Sequence, residues 1–342
     1  MASGAPSGDA AELARLRRLV GATIIATFAL ILIGGVVRVS DSGLGCGPAG
    51  SGVHGWPLCE GGVLPPGSAE SLIEFGHRIA AGIVGAMILV IAWRVFRHLR
   101  DRPWLVRGTV AAGVLVLIQA VLGGLTVERG LEDELVAAHL GLAMLLIGIL
   151  ILIRRGSDPE PEPDDAHPPA GGTRALRTLT WVASGLLLAT IVAGGLVAGT
   201  ERMGTPEAPV AGAHMACGEQ FPRCLGELMP FGRSHLIDVH LTHRLFMYLA
   251  SLAVLVMVAV ALVQRHRSRA YPIAAALLAG QVLLGASNVW FGMHAGLIVA
   301  HLALGTLLWS TVVYAGATLL PAPATSRSPS TRRRPATETA AA

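Results

Sequence analysis

Charge is scarce in this chain, and lysine is missing altogether. Only 14% of the 342 residues are charged, whereas a soluble domain carries about 25%, which excludes a water-soluble globular fold. Cysteine is limited to four, with no CxxC spacing, which weakens a structural zinc reading. The first apolar run is followed by no cleavage-type sequence and is read as an uncleaved anchor rather than a signal peptide.

What is abundant is hydrocarbon. Apolar residues make up 53% of the chain and the mean hydropathy is +0.61. A run of about 20 apolar residues crosses a bilayer core. Eight such runs are present, at 19–39, 71–93, 107–127, 134–153, 176–199, 235–263, 271–290 and 296–318. The expected fold is all-α, with eight transmembrane helices. All 26 basic residues are arginine, and 19 of them flank the runs on one side: the N-terminus, the even-numbered connections and the tail. The positive-inside rule then puts both termini in the cytoplasm of a bacterial-type cell membrane. The net charge of +4 reflects that topology, and nucleic acid is not an expected partner.

The chain repeats itself. Gly34-Gly35 returns as Gly194-Gly195, the stretch from Gln119 to Val127 as that from Gln281 to Val289, His77 as His243 and His139 as His301, at offsets of 160, 162, 166 and 162. Near-constant offsets at four landmarks indicate an internal repeat. Two four-helix bundles of the same orientation are expected, at 19–154 and 176–318, because each half has an even number of spans. A cytoplasmic N-terminus (1–18), a Pro- and acid-rich linker (155–175) and a disordered tail (319–342) complete the expected layout. Arg327 and Arg332 to Arg334 in that tail suit contact with anionic membrane lipid.

An imidazole inside an apolar span is costly and marks function by default. His77 and His139 lie about five or six residues inside their spans, His301 about five and His243 about eight, roughly 8–12 Å deep at the helical rise. Within each half the two rings are level, as axial ligation from both faces of a heme requires. Gly76, Gly82, Gly85, Gly141 and Gly305 lie near these histidines and would leave room for a flat macrocycle. The competing reading is four structural histidines bonded across helices.

Glu74 and His240 occupy corresponding places, three residues before His77 and His243 and on the same helix faces. Glu74 is either a solvated boundary residue or a carboxyl suited to proton transfer beside a reacting group. Arg78 and Arg244 follow the histidines and either pair with heme propionates or anchor at the interface. His54, His214 and His294 fall in outer loops and are expected to be solvated. The cysteines form two same-loop pairs, Cys46/Cys59 and Cys217/Cys224. Two disulfides are the leading reading, with a zinc site or a redox-active pair as alternatives.

Gly34-Gly-Val-Val-Arg38, Ser42-Gly-Leu-Gly-Cys46, Trp56-Pro-Leu-Cys59, Glu74-Phe-Gly-His-Arg78, His139 and the echoed second half closely resemble the heme A synthase family over about residues 20–318. The resemblance implies oxidation of the C8 methyl of heme O to the formyl of heme A for cytochrome oxidase. It implies a b-type heme on His243 and His301, heme O at His77 and His139, a required carboxylate at Glu74, and functional first-loop cysteines at Cys46 and Cys59. Cys217 and Cys224 match only some relatives. The first loop is also longer between Cys46 and Trp56 than the family's usual Cys-Pro-Asp-Trp. Heme O synthase, cytochrome oxidase assembly factors and an electron carrier are the implied partners. A diheme b-type cytochrome handling quinone would use the same histidines without Glu74, and a transporter would hold no heme.

Overall fold

A computed structural model describes residues 8–158, 173–200, 212–292 and 294–320. The middle of the linker, His167, Arg202 and the arginine-rich tail lie outside the described residues. Eight long helices follow in order: α1 (Gly8–Val39), α2 (Ala69–His98), α3 (Pro103–Glu128), α4 (Asp133–Gly156), α5 (Arg174–Gly199), α6 (His235–Val263), α7 (Ala270–Trp290) and α8 (Ala295–Thr318). All eight are long and apolar enough to cross a membrane, and the protein is a multi-pass membrane protein. Hydrocarbon offers no partner for backbone N–H and C=O groups, so helices that satisfy their own are what such apolar runs must form.

The helix starts follow local chemistry. Ser68, Thr173 and Ser234 cap α2, α5 and α6 by accepting from the backbone N–H of Ser71, Leu176 and Ile237. Pro103 opens α3 near its first position, where a missing N–H costs nothing. Several helices outrun the apolar segments that predict them. At 32 residues, α1 is about 48 Å long at the helical rise, well beyond a hydrocarbon core of about 30 Å. Its extra turns are held by buried Leu13 and Leu16 and by Glu12, which pairs with Arg15 at 2.7 Å and Arg94 at 2.9 Å.

Neighbouring helices α1 to α4 pack in sequence, and α1 also meets α4; α5 to α8 do the same, with α5 meeting α8. The two sets join where α4 and α8 meet each other and meet α5 and α1. Both large apolar clusters draw on α1 and α4: Ile31, Met144 and Ile147 enter one, Leu16, Leu146 and Leu150 the other. Trp309 pins the junction. Its ring lies over Gly148, where a Cβ would come within 2.7 Å of Cη2, and its Nε1–H donates to the Ser184 carbonyl at 2.9 Å.

Arg38, at the end of α1, reaches across to the end of α5. Its Nε and Nη2 donate to the carbonyls of Ala198 and Gly199, each at 3.0 Å. The last carbonyls of a helix have no partner within it and carry the negative end of its dipole, so a guanidinium suits them. Arg38→Ala is expected to lower stability by about 1.5–3 kcal/mol, the range for a hydrogen bond to a charged group. Chemical unfolding of the detergent-solubilised protein reads this directly, and an unchanged midpoint would show that the staple is dispensable.

Candidate functional site

The four membrane histidines stand in matched register. His77 is the ninth residue of α2 and His243 the ninth of α6, while His139 is the seventh of α4 and His301 the seventh of α8. All four lie near the ends that carry the disulfide loops, and each is half-buried. His77 and His139 thus stand on the second and fourth helices of one set, and His243 and His301 on the second and fourth helices of the other.

Each ring is seated on a glycine of the preceding helix. A Cβ on Gly34 of α1 would fall 3.2 Å from Cε1 of His77, and one on Gly123 of α3 would fall 3.3 Å from Cε1 of His139. Gly194 of α5 and Gly285 of α7 stand in the same relation to His243 and His301, both at 3.0 Å. The glycines expected to leave room for a macrocycle are different ones. Of these, Gly76 and Gly82 have nothing within 4 Å, Gly85 meets Val116, and Gly141 and Gly305 pack against Val192 and Gln281. The seating glycines belong to the repeated stretches, but only the helix pairing shows what they face.

The polar surroundings of the rings differ. His243 Nδ1 lies 2.9 Å from the Thr190 carbonyl, one turn before Gly194 on the same face of α5. A carbonyl can only accept, so this nitrogen carries the proton and Nε2 keeps its lone pair for a ligand, the usual outer-shell arrangement of a metal-binding histidine. Gln281 donates from Nε2 to Nε2 of His301 at 3.2 Å, whereas Gln119 donates to the backbone carbonyl of His139 at 2.9 Å. His77, His139 and His301 each hold a buried Nδ1 with no partner, a costly state in a finished core.

Among the described residues, no three His, Cys, Asp or Glu side chains gather to hold a metal ion. Two imidazoles alone retain a bare ion poorly. They do suit an iron already held by four porphyrin nitrogens, which needs only an axial pair. The residues present therefore fit heme, and His77, His139, His243 and His301 are the ones that would hold it.

Above each pair sits a disulfide loop, Cys46–Cys59 over one and Cys217–Cys224 over the other, and no free cysteine remains among the described residues. The longer first loop accommodates its bridge, with its extra residues including a short 3-10 turn at Gly52–His54. Arg78 and Arg244 do not simply anchor at an interface. Arg78 donates to the carbonyls of Gly55, Pro57 and Leu58 at 2.7, 3.4 and 2.9 Å. Arg244 donates to those of Gln220, Pro222 and Arg223 at 2.9, 3.3 and 3.0 Å. The residues that follow His77 and His243 thus each clamp the loop over their own half.

Glu74 and His240 brace these clamps. Glu74, 3% exposed, pairs through Oε1 with Arg78 and accepts the Cys46 N–H through Oε2 at 2.8 Å, so it is not a solvated boundary residue. His240, 4% exposed, has its Nδ1 at 2.6 Å from the Ala213 carbonyl and accepts from Arg244 Nε through Nε2 at 2.7 Å. Those partners fix the neutral tautomer protonated on Nδ1 and leave neither nitrogen for a metal. His214, expected to be solvated, instead stands edge-on to His240 with ring centroids 6.4 Å apart, whereas His54 and His294 are exposed as expected.

Residues 17–313 match the COX15-CtaA family model, described as cytochrome oxidase assembly protein. The chain is 31% identical over 299 residues to a heme A synthase of Symbiobacterium thermophilum, covering 83% of this chain and 89% of that protein. It is 29% identical over 308 residues to one from Shouchella clausii, covering 87% and 95%. A third, from Halalkalibacterium halodurans, is 27% identical over 305 residues, covering 85% and 93%.

The clamps lead to a direct test. Lysine keeps the charge of Arg244 but not its fork of donors. Arg244→Lys is expected to speed amide exchange in the loop around residues 218–226 by about ten- to a hundredfold, the equivalent of about 1.5–3 kcal/mol for a lost charged hydrogen bond. Exchange at the wild-type rate would show that the guanidinium does not hold the loop.

Proposed function

The chain belongs to the COX15-CtaA family of cytochrome oxidase assembly proteins, and from that membership we propose that its two histidine pairs divide the work of a heme A synthase. The protein is a membrane oxidoreductase that converts heme O to heme A. The observation that carries the division is the pair of matched histidine sites with unequal neighbours: a carboxylate beside one, a fully engaged neutral imidazole beside the other. His77 and His139 of the first bundle, 19–154, receive heme O. His243 and His301 of the second, 176–318, hold a resident heme b.

The chemistry explains why both are needed. Taking a methyl to a formyl group replaces two hydrogens by one oxygen, a four-electron oxidation, through two successive hydroxylations and loss of water from a geminal diol. His243 and His301 would hold a heme b, which would supply one-electron transfer. His243 suits that duty, since the Thr190 carbonyl fixes its tautomer and ring plane. Glu74 is the proton acceptor, being the carboxylate nearest in sequence to the substrate pair. Cys46–Cys59 closes the loop above it. Heme O synthase as the supplier, oxidase assembly factors as recipients and an electron carrier follow as partners. The arginine distribution supports cytoplasmic termini, and with that orientation the disulfide loops would face the oxidising compartment outside.

A second role for Glu74 has its own support, because both carboxylate oxygens are already engaged with Arg78 and Cys46. On that reading Glu74 holds the loop and moves no protons.

Two outcomes test the assignment. His243→Ala or His301→Ala should each abolish a low-spin b-type spectrum while the protein still inserts and purifies. An unchanged spectrum in either variant would remove heme b from that pair. Glu74→Gln should retain the b spectrum and heme O binding, lower heme A output by about 10²–10⁴-fold as expected for a lost acid/base group, and accumulate hydroxylated heme O. If Arg78→Lys reproduces the same loss and the same accumulation, the loop-holding role is sufficient and the proton-transfer role is withdrawn.

A further inference from the structure

The doubled glycines of α1 and α5 each serve two neighbours. The first of each pair seats a histidine of its own half, Gly34 with His77 and Gly194 with His243. The other glycine of each pair faces the opposite half. A Cβ on Gly35 would lie 2.7 Å from Cδ2 of Leu302 on α8, the residue after His301. A Cβ on Gly195 would lie 3.0 Å from Cα of Ala137 and 3.5 Å from Cδ2 of Leu140, the residue after His139 on α4. Successive helical residues point about 100° apart, so adjacent glycines open two faces at one depth. At the level of the histidines, α1 can therefore lie against α2 and α8, and α5 against α6 and α4.

We propose that each Gly-Gly step is a positioning element shared by both heme sites, so that the stance of one histidine in each pair is set by a glycine of the opposite half. The inference rests on the assignment of the histidine pairs to heme made above. Its consequence is crossed. Gly35, in the first half, positions α8 and with it His301 of the heme b pair. Gly195, in the second half, positions α4 and with it His139 of the heme O pair.

The two contacts differ in stiffness. Gly35 meets the end of a leucine side chain, which can turn aside for a single methyl, so a larger replacement is needed there. Gly195 meets the backbone of α4, and a close-packed helix can yield only by moving as a body. Gly35→Val and Gly195→Ala are the informative substitutions.

The purified protein gives two separate readouts: electron paramagnetic resonance g values and midpoint potential for heme b, and spectral titration with heme O for the other site. Gly35→Val is expected to shift the g values and potential of heme b while heme O still titrates as in the wild type. Gly195→Ala is expected to weaken heme O binding while the heme b signals stay unchanged, and those signals certify that the variant is folded. Gly113→Ala and Gly185→Ala, where a Cβ meets nothing within 4 Å, should alter neither readout. Effects confined to each glycine's own half, equal damage at both sites, or no change at either would overturn the proposal. Should Gly35→Val fail to accumulate, Gly195→Ala decides alone. Survival of the b spectrum in His243→Ala would instead show that the heme assignment, not the shared step, is at fault.

Discussion

An imidazole edge set against a glycine of the neighbouring helix recurs four times, at Gly34/His77, Gly123/His139, Gly194/His243 and Gly285/His301. Helices in lipid gain little from burying apolar surface against one another, so close backbone approach at small residues is a main source of their association. Here that approach is made at the level of the histidines. A side chain of any size at these glycines would have to push a ring or a helix aside. The glycine contacts that help to hold the bundle together therefore also orient the histidines.

The loops depend on the same layer. Arg78 and Arg244 follow His77 and His243 directly, and their guanidinium groups gather loop carbonyls that would otherwise need water at the membrane boundary. Because histidine and clamp are adjacent in sequence, the position of each disulfide loop is tied to the position of the helix turn that carries the ring. Glu74 and His240 brace the two clamps with different chemistry, a carboxyl group paired with Arg78 and an imidazole with both nitrogens engaged. This is where the two halves diverge most clearly, and it lies beside the histidines.

The inter-half contacts are of two kinds. Trp309 against Gly148, with its bond to the Ser184 carbonyl, fixes α4, α5 and α8 through packing and one neutral hydrogen bond. Arg38 fixes the ends of α1 and α5 through charge directed at orphaned carbonyls. The Ala198 carbonyl it reaches lies 160 residues on, the offset that relates Gly34 to Gly194. No arginine stands there to return the contact, so this staple is made once rather than twice.

Much of this protein was determined by its sequence alone. Hydropathy fixed eight helices because lipid allows an apolar run of that length little else, and counting residues from the start of each run set His77, His139, His243 and His301 at similar levels because rise along a helix is simple arithmetic. The cysteine pairing was legible because each pair sits within a short loop. Only the tertiary structure decided what faces what. Gly123 and Gly285 were visible within the repeated stretches, yet their seats are contacts between separate helices and depend on how each helix is rotated about its axis. Arg78 read as a residue for propionates or the interface until the fold brought the Gly55 and Leu58 carbonyls to it. Glu74 read as solvated or catalytic until burial beneath Cys46 supplied partners for both oxygens. Periodicity along one chain reports depth and exposure, but hydrogen-bond partners far apart in sequence are chosen only when the helices pack.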